Sequence, residues 1–278
     1  MPRKIALVGV GKIAIDQHIP ALHASSDWEL AAAVSRNTVV ADVPNYTDMD
    51  DMLQAHPEIE VVSLCMPPVP RFDYARAALA AGRHVMLEKP PGATVSEVHT
   101  LADLADDAEL SLYASWHSRE AAFVKTAKAW LKGKAIESFT VTWHEDVRKW
   151  HPNQDWVFEA GGMGIFDPGI NALSIVTEIL PDAIHLKSAV LDFPENRDTP
   201  IAARLDFYHP HGGAVTADMN WDHSGEDIWQ IEAVTDAGVL TLKNGGGMLL
   251  IDGVIQEGGA DGLTGEYPNL YANMARLV

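Results

Sequence analysis

Residues 9–14 read GVGKIA, and this short stretch decides the fold. It follows an apolar run at 4–10, which predicts a buried strand, and it precedes a stretch that fits a helix. Gly9 permits a tight turn, Gly11 lets a pyrophosphate approach the backbone, and Ala14 lets the helix pack close to the sheet. The free amides at the start of that helix favour phosphate. The stretch therefore predicts a dinucleotide site, with a purely structural glycine turn as the alternative.

Strands alternate with helices through the first part of the chain. Apolar runs predict strands at 4–10, 29–35, 60–66, 84–88 and 111–115, and helical patterns lie between them at 12–25, 49–55, 72–81 and 96–107. Asp48 is placed to cap the second of these helices, while Pro67 and Pro68 forbid continuation of the third strand. This alternation is typical of an α/β fold with a doubly wound parallel sheet of the Rossmann type, which we expect to form an N-terminal domain at 1–118.

The pattern changes after a predicted helix at 120–132. Longer segments, separated by glycine turns, then alternate between polar and apolar residues at 138–144, 202–208, 214–221 and 229–235. Alternation predicts antiparallel strands with one wet face, and a helix predicted at 171–179 would cover the other face. We therefore expect a C-terminal α+β domain at 119–278, built on a large, mostly antiparallel open sheet.

The end of the chain is expected to be incomplete. Residues 258–265 are rich in glycine and predict a loop, and a helical pattern begins near Pro268. Because the chain stops at Val278, in what reads as the middle of that helix, we expect a further C-terminal segment beyond it.

The composition is that of a globular protein. Of 278 residues, 47% are hydrophobic and 21% charged, and 20 Lys and Arg against 39 Asp and Glu give a net charge of −19. That charge repels phosphate backbones and anionic membranes, so neither nucleic acid nor membrane is an expected partner. Cys65 is the only cysteine, which excludes an intramolecular disulfide and favours a reducing, cytoplasmic location. We expect no secretory leader and no membrane span.

The end of the second predicted strand bears on the choice of cofactor. NAD sites of this kind usually carry an acidic residue there to bind the ribose hydroxyls, whereas this chain has Val34, Ser35, Arg36 and Asn37. With no carboxylate to repel a 2′-phosphate, and with Ser35 and Arg36 able to bind one, we predict NADP in preference to NAD. A solvated loop cation is the alternative interpretation of Arg36, and NAD stays in view as a second cofactor.

Two clusters carry candidate chemistry. The E-K-P-P turn at 88–91 ends a predicted strand, where open parallel sheets bind ligands. Lys89 in that turn can hydrogen-bond a reacting hydroxyl and stabilise negative charge, with a surface lysine before a turn as the alternative. Asp167 and Asn171 are four residues apart, so they share a face if their segment is helical. A helix cap is the alternative for Asp167.

Together these motifs resemble the glucose–fructose oxidoreductase/inositol dehydrogenase family. The resemblance rests on 9–14, on the E-K-P turn at 88–90, and on an Asp followed four residues later by a polar residue, and it covers essentially the whole chain. In that family the lysine of the turn is catalytic, and an Asp-x-x-x-His pair binds substrate and handles the proton. Here Asn171 replaces the histidine and cannot act as a base. This departure argues against an inositol dehydrogenase and moves proton transfer towards Asp167 or Lys89.

Within the family, the chain resembles bacterial enzymes that oxidise L-arabinose or D-galactose at C1. The stretches that carry this closer resemblance are 84–94, 116–119, 145–148, 150–152 and 166–174. It implies oxidation of an aldopyranose to an aldonolactone, and it leaves the two sugars unseparated because only the exocyclic C6 group distinguishes them. Another sugar or polyol oxidoreductase of the family and a non-catalytic NADP-binding regulator are the alternatives.

The resemblance also implies a set of site residues. We expect Lys89 and Asp167 to be catalytic. The residues expected to bind the sugar, through paired donors and acceptors or an aromatic face, are Glu145, His151, Asn171, His117 and Trp150. The residues expected to bind the cofactor are Gly9, Gly11, Lys12, Ile13, Ser35, Arg36, Cys65, Pro67, Glu88, Lys89 and His117. A satisfied structural histidine is the alternative for His117, no metal site is expected, and we expect the C-terminal sheet to join copies of the chain into a homo-oligomer.

Overall fold

The computed structural model describes residues 2–258 and 265–278. Contacts between residues divide the chain into two compact units, the first formed by 1–116 with 267–278 and the second by 117–266. Among the described helices, none is long and apolar enough to cross a lipid bilayer.

A parallel sheet forms the centre of the first unit. Its strands are β1 (Arg3–Val8), β2 (Trp28–Val34), β3 (Asn45–Tyr46), β4 (Val61–Leu64), β5 (His84–Glu88) and β6 (Leu112–Ser115). They lie in the order β3-β2-β1-β4-β5-β6, and all neighbours are parallel. Along β1, Ile5 and Leu7 enter one apolar core while Ala6 and Val8 enter another, which is why this strand is a continuous apolar run. The order confirms the doubly wound fold and puts a topological switch between β1 and β4, where such sheets bind ligands.

The helices of the first unit lie between its strands. They are α1 (Ile19–Ala24), α2 (Met49–Ala55), α3 (Pro68–Ala80) and α4 (Val95–Asp107). Asp48 caps α2 as predicted, since its carboxylate accepts hydrogen bonds from the amides of Asp50 and Asp51 at 2.8 and 3.2 Å. α3 begins at Pro68 rather than at the predicted Phe72, because proline is tolerated in the first turn of a helix. The helical stretch that opens at Lys12 contains a π-helical segment, Ala14–His18, before α1.

A second, larger sheet forms the centre of the second unit. Its strands are β7 (Ile136–His144), β8 (His185–Asp192), β9 (Ala202–Tyr208), β10 (Ala214–Asn220), β11 (Ile228–Thr235), β12 (Gly238–Lys243), β13 (Met248–Ile251) and β14 (Val254–Ile255). They lie in the order β14-β13-β12-β11-β7-β10-β9-β8. All neighbours are antiparallel except β7 and β10, which are parallel. The predicted large, mostly antiparallel sheet is confirmed.

Helices cover one face of this sheet. The helices are α5 (Val124–Leu131), α6 (Val147–Trp150) and α7 (Phe166–Ile179), with 3-10 turns at His117–Glu120, Asp155–Phe158 and Asn244–Gly246. Apolar side chains of α5 and α7 share a core with alternate residues of β7. α7 begins at Phe166 rather than at the predicted Asn171, since Pro168 again lies in a first turn. The predicted helix at 120–132 is shorter and starts at Val124.

Strand β8 has no counterpart in the sequence prediction. All 8 of its residues are exposed, so neither face requires the period-two apolar pattern that reveals a half-buried strand. Strands β12 to β14 were likewise not predicted.

A C-terminal helix, α8 (Glu266–Met274), begins close to the predicted start at Pro268. Its buried apolar and aromatic residues are Tyr267, Leu270, Tyr271 and Met274, and these join the core that contains β1. The contacts therefore group 267–278 with the first unit, whereas the expected division assigned this segment to 119–278. An apolar helix face indicates burial but not which core receives it. The loop expected at 258–265 falls mainly on 259–264, which lie outside the described residues.

Candidate active site

Gly9 forms the tight turn at the end of β1. Its backbone has φ of +85°, a region that favours glycine, and its amide donates to Val34 O at 2.9 Å. A Cβ added to Gly9 would lie 2.7 Å from Met66 N. The ends of β1 and β4 therefore approach each other so closely that only glycine fits between them.

Gly11 has open space where Gly9 has none. A Cβ added there would meet no heavy atom within 4 Å, and the helical stretch opens at the next residue, Lys12. Helix N-termini and exposed backbone favour phosphate groups. Lys12 is exposed and forms an ion pair with Asp16, and Ile13 is half-buried. The residues of this turn fit the pyrophosphate of a dinucleotide cofactor.

Ser35 and Arg36 follow β2 directly. The Ser35 hydroxyl accepts from the amides of Asn37 and Thr38 at 3.4 and 3.2 Å, which closes a compact loop. Arg36 is exposed. Residues 34–38 include no carboxylate, as the sequence indicated.

Cys65 and Pro67 lie just beyond β4, next to the Gly9 turn. The Cys65 amide donates to Val8 O at 2.8 Å, and its thiol is buried and free of any disulfide. Pro67 precedes the first residue of α3. Both are at the switch point that the strand order defines.

Lys89 follows β5 and is fixed through its backbone. Its amide donates to Glu88 Oε2 at 2.9 Å, and its peptide bond to Pro90 is cis. The buried Arg71 guanidinium donates to the carbonyls of Glu88 and Pro90, on either side of Lys89, and to that of Met66. Lys89 itself is half-buried, which differs from a surface lysine before a turn.

Glu145 is the centre of a cluster in the second unit. It follows β7, is 5% exposed, and accepts from Trp221 Nε1 at 2.9 Å and from Trp229 Nε1 at 2.8 Å. Its pKa is raised to about 7, mainly because the carboxyl group is buried; the two indole hydrogen bonds lower this pKa, and the nearby carboxylates of Asp227 and Asp167 add to the rise. A carboxyl group in this state both donates and accepts near neutral pH.

His151 and Asp167 meet in the same unit. His151 Nε2 lies 3.1 Å from Asp167 Oδ2, and His151 Nδ1 lies 3.1 Å from Gln154 Oε1. Asp167 is in the first turn of α7, and Asn171 is on the same helix, half-buried, one turn later. The Asp167 side chain therefore contacts another segment, which a simple helix cap does not require.

Trp150 and Trp229 form an aromatic wall beside this cluster. The Trp150 ring centroid is 5.5 Å from that of Trp229, and Lys149 Nζ is 5.0 Å from the Trp150 ring. Trp150 Nε1 and Asp227 Oδ1 are buried without a hydrogen-bond partner within the described part of the chain. Buried polar atoms are nearly always paired, so these two fit a ligand that carries hydroxyl groups.

His117 opens the second unit and is 5% exposed. Its Nδ1 lies 2.5 Å from Glu266 Oε2 and 3.3 Å from Ser118 Oγ. Glu266 fixes the orientation of the ring, and a role towards cofactor or sugar stays a prediction. Over residues 2–258 and 265–278, no group of three His, Cys, Asp or Glu side chains is arranged to hold a metal ion.

Comparison with known proteins places the chain in a family. A family model described as "Oxidoreductase family, NAD-binding Rossmann fold" matches residues 3–115. Galactose 1-dehydrogenase of Pseudomonas fluorescens is 38% identical over 100% of this chain and 89% of its own length. The chain belongs to the glucose–fructose oxidoreductase/inositol dehydrogenase family. The chain is therefore a nicotinamide-dependent oxidoreductase.

Solved structures agree with this family assignment. A crystal structure of D-galactose-1-dehydrogenase from Rhizobium etli has a TM-score of 0.94 and 51% identity, covering 99% of this chain and 88% of that one. A 3-ketoreductase from Actinomadura kijaniata in complex with NADP has a TM-score of 0.85 at 19% identity, covering 100% and 90%, and supports the fold alone.

Family membership sharpens the meaning of the His151 contact. The family's Asp-x-x-x-His pair resembles Asp167 and Asn171 here, and the histidine is absent from that position. In this structure His151, from a different segment, lies against Asp167. The histidine that contacts Asp167 therefore comes from outside helix α7.

Several residues of the second cluster were not expected from the sequence. They are the two indole donors to Glu145, Trp221 and Trp229, and the nearby carboxylate of Asp227. These residues lie in or beside strands, and the alternating pattern of those strands indicates only a sheet. Their closeness follows from the neighbouring positions of β7, β10 and β11. In the first unit, the structure brings together Gly9, Cys65 and Pro67, while Glu145, Trp150, His151 and Asp167 lie in the second.

Proposed function

We propose that the protein oxidises C1 of a free aldopyranose, D-galactose or L-arabinose, to the aldonolactone with NADP as hydride acceptor. The observation that carries the proposal is the cluster of Glu145, His151 and Asp167 with its tryptophan wall. Sugar sites combine paired donors and acceptors with an aromatic face. The names of the relatives at 38% and 51% identity support a sugar, and galactose in particular.

Lys89 and Asp167 are the residues to which we assign proton transfer. The nicotinamide cofactor, when bound, supplies the hydride acceptor. Lys89 hydrogen-bonds the C1 hydroxyl and, with Asp167, receives its proton as the carbon is oxidised. His151 holds the Asp167 carboxylate in one orientation through their 3.1 Å contact. Protein groups thus orient the sugar and accept the proton.

Glu145, His151, Asn171, His117 and Trp150 are proposed to bind the sugar. The Glu145 carboxyl, with its pKa near 7, can accept from one hydroxyl and donate to another. Trp150 offers its face to the apolar side of the pyranose. The buried indole nitrogen of Trp150, which has no partner among described residues, supports a polar ligand at this position.

We assign NADP as the preferred cofactor and NAD as the second. The turn directly after β2 presents Ser35 and the exposed Arg36, and residues 34–38 include no carboxylate. Arg36 is therefore available to a 2′-phosphate, which an acidic residue would repel. The lone buried Cys65 supports our placement of the enzyme in the reducing cytoplasm.

The decisive experiment is a panel of sugars assayed with both cofactors. Initial rates of NADPH or NADH formation are measured with D-galactose, L-arabinose, D-glucose and inositol. We expect turnover on D-galactose or L-arabinose, and a higher kcat/KM with NADP than with NAD. Turnover on inositol alone, or bound cofactor without turnover on any sugar, would contradict the proposal.

We also propose that copies of the chain associate through the C-terminal sheet. Edge strand β8 is exposed along its whole length and carries the apolar residues Leu186 and Val190, which are 59% and 53% exposed. Exposed apolar strands at a sheet edge favour pairing with another chain. Light scattering that gives the mass of one chain at micromolar concentration would overturn this assignment.

A further inference from the structure

A buried network of hydrogen bonds includes Glu88, the first residue of the E-K-P turn in the first unit. His18 Nε2 lies 3.0 Å from Glu88 Oε1, and His18 Nδ1 lies 2.6 Å from the Tyr271 hydroxyl. The Tyr267 hydroxyl donates to the same Glu88 oxygen at 2.9 Å. The side chains of His18, Tyr267 and Tyr271 are fully buried, and Glu88 is 4% exposed. These four side chains form one polar network inside an apolar core.

The network ends at the backbone of Lys89. Glu88 Oε1 contacts His18 and Tyr267, while Glu88 Oε2 accepts the Lys89 amide at 2.9 Å. Arg71 binds the carbonyls on both sides of Lys89. The amide of Lys89 and the two flanking carbonyls are therefore all held by buried charged side chains.

The contacts of His18 fit a charged imidazolium. Burial alone would lower the pKa of His18, but Cys65, Tyr271 and Glu88 outweigh it and raise that pKa well above its usual value. An imidazolium donates from both ring nitrogens, which matches the two contacts of His18. Charge-assisted hydrogen bonds are shorter and stronger than neutral ones.

Stability alone does not account for this arrangement. Burying an ion pair removes both charges from water, and well-packed apolar residues of similar volume often give equal or greater stability. The pair instead fixes the orientation of the Glu88 carboxylate, because each of its oxygens has a defined partner. Through its hydrogen bond from the Lys89 amide, that carboxylate fixes the backbone at Lys89.

We propose that His18 and Glu88 are positioning residues that hold the Lys89 backbone, and through it the Lys89 amine, for proton transfer. The inference rests on the proposed role of Lys89 in oxidising the sugar. Tyr267 and Tyr271, supplied by α8, complete the network by orienting Glu88 and His18. Neither His18 nor Glu88 needs to touch the sugar to act in this way.

The test compares kcat, KM and cofactor binding in folded variants. Glu88→Gln and His18→Gln keep side-chain size but disturb the ion pair, and we expect kcat with D-galactose and NADP to fall about 10²-fold, as a small misplacement of a reacting group does. The KM for D-galactose should stay within about twofold in both variants, and the Kd for NADPH, read by fluorescence, should do so in His18→Gln, because His18 is not among the residues expected to bind either ligand. A merely structural role would lower the unfolding temperature and leave kcat of the folded protein unchanged.

Tyr267→Phe and Tyr46→Phe form a matched pair. Each removes one hydroxyl in the first unit, at Glu88 in one case and at His56, 2.9 Å away, in the other. We expect kcat to fall about fivefold in Tyr267→Phe, the equivalent of one hydrogen bond, and to be unchanged in Tyr46→Phe. Equal losses in both variants would overturn the inference.

The double variant Glu88→Gln/Lys89→Ala shows whether Glu88 acts through the lysine. If it does, adding Glu88→Gln to Lys89→Ala lowers the residual kcat no further, because the group being positioned is gone. A full additional loss would contradict the inference. Normal kcat in Lys89→Ala would instead refute the proposed function, whereas normal kcat in folded Glu88→Gln and His18→Gln, with Lys89→Ala inactive, would refute only the positioning role.

Discussion

The two candidate sites differ in what builds them. The first candidate site lies at the ends of β1 and β4 and is built from backbone groups. Gly9 lets the two strand ends approach each other closely, and Gly11 leaves open space beside the backbone. Around Glu145, side chains from separate strands and helices form the site. A site made of backbone groups depends on glycines, which lack side chains that would block it. A site made of side chains depends on which of those side chains are charged. The two should therefore fail in different ways when they are altered.

Lys89 follows β5, the parallel neighbour of β4, and is the exception at this edge of the sheet, because its side chain carries the proposed chemistry. Lys89→Ala should lower kcat about 10³-fold, within the range expected for loss of a general acid or base. The Kd for NADP should rise far less than kcat falls, since the glycine turn and not the amine binds the pyrophosphate. Steady-state rates and a fluorescence titration with NADPH check both expectations.

Lys128→Ala serves as the control for this prediction. Lys128 is an exposed lysine on α5 that pairs with Glu178 at 2.7 Å, so its loss should leave kcat unchanged. If Lys89→Ala turned over sugar at the rate of Lys128→Ala, then the first unit would contribute only cofactor binding. The catalytic roles proposed for the two units would then have to be reassigned.

The backbone-built edge was also the more predictable of the two. A turn such as GVGKIA at 9–14 is continuous in sequence, so its spacing carries its structure. Glu145 receives its partners Trp221 and Trp229 from positions 76 and 84 residues away, and only the strand order brings them together. Sequence spacing contains no record of such a contact.

The same limit applies inside the first unit. His18 reads as an ordinary polar residue of a helix, because its partners Glu88 and Tyr271 are 70 and 253 residues distant. The fold of this unit was predicted from apolar runs and turns, which are local. The attachment of α8 and the network behind Lys89 depend on tertiary packing and were not.

Glu145 should give the second site a dependence on pH that the glycine turn lacks. Its pKa is raised from 4.5 to about 7, so the folded state keeps a proton that the unfolded state releases as pH rises. The carboxyl therefore makes folding less favourable as pH increases between these values, by up to about 3 kcal/mol at about 1.4 kcal/mol per pKa unit. Glu145→Gln should abolish this part of the decline, as urea unfolding at pH 5, 6, 7 and 8 would reveal.

Glu137→Gln is the matched control, since Glu137 is an exposed glutamate on the same strand, β7. The difference in unfolding free energy between wild type and Glu145→Gln should change from pH 5 to 7 and then level off. For Glu137→Gln it should stay nearly constant. A constant difference in both would mean that Glu145 is ionised throughout, and the second site would lose the feature that sets it apart.

The smallest effect separates the two glycines of the backbone-built edge. Gly9→Ala places a methyl group 2.7 Å from Met66 N at a φ of +85°, and should destabilise the fold by about 2 kcal/mol or more. Gly11→Ala meets no atom within 4 Å, so its unfolding temperature should match wild type. Its Kd for NADPH should instead rise about tenfold, the equivalent of one weakened phosphate hydrogen bond.

Thermal unfolding and NADPH titration of the two variants together decide whether the edge is built as described. A methyl group on Gly11 touches nothing in the protein, so any loss of affinity there must come from the ligand it obstructs. Unchanged NADPH affinity in Gly11→Ala would mean that the pyrophosphate does not pass over this turn. The glycine turn would then have only a structural role, and Lys89 alone would remain to set the first site apart from the site around Glu145.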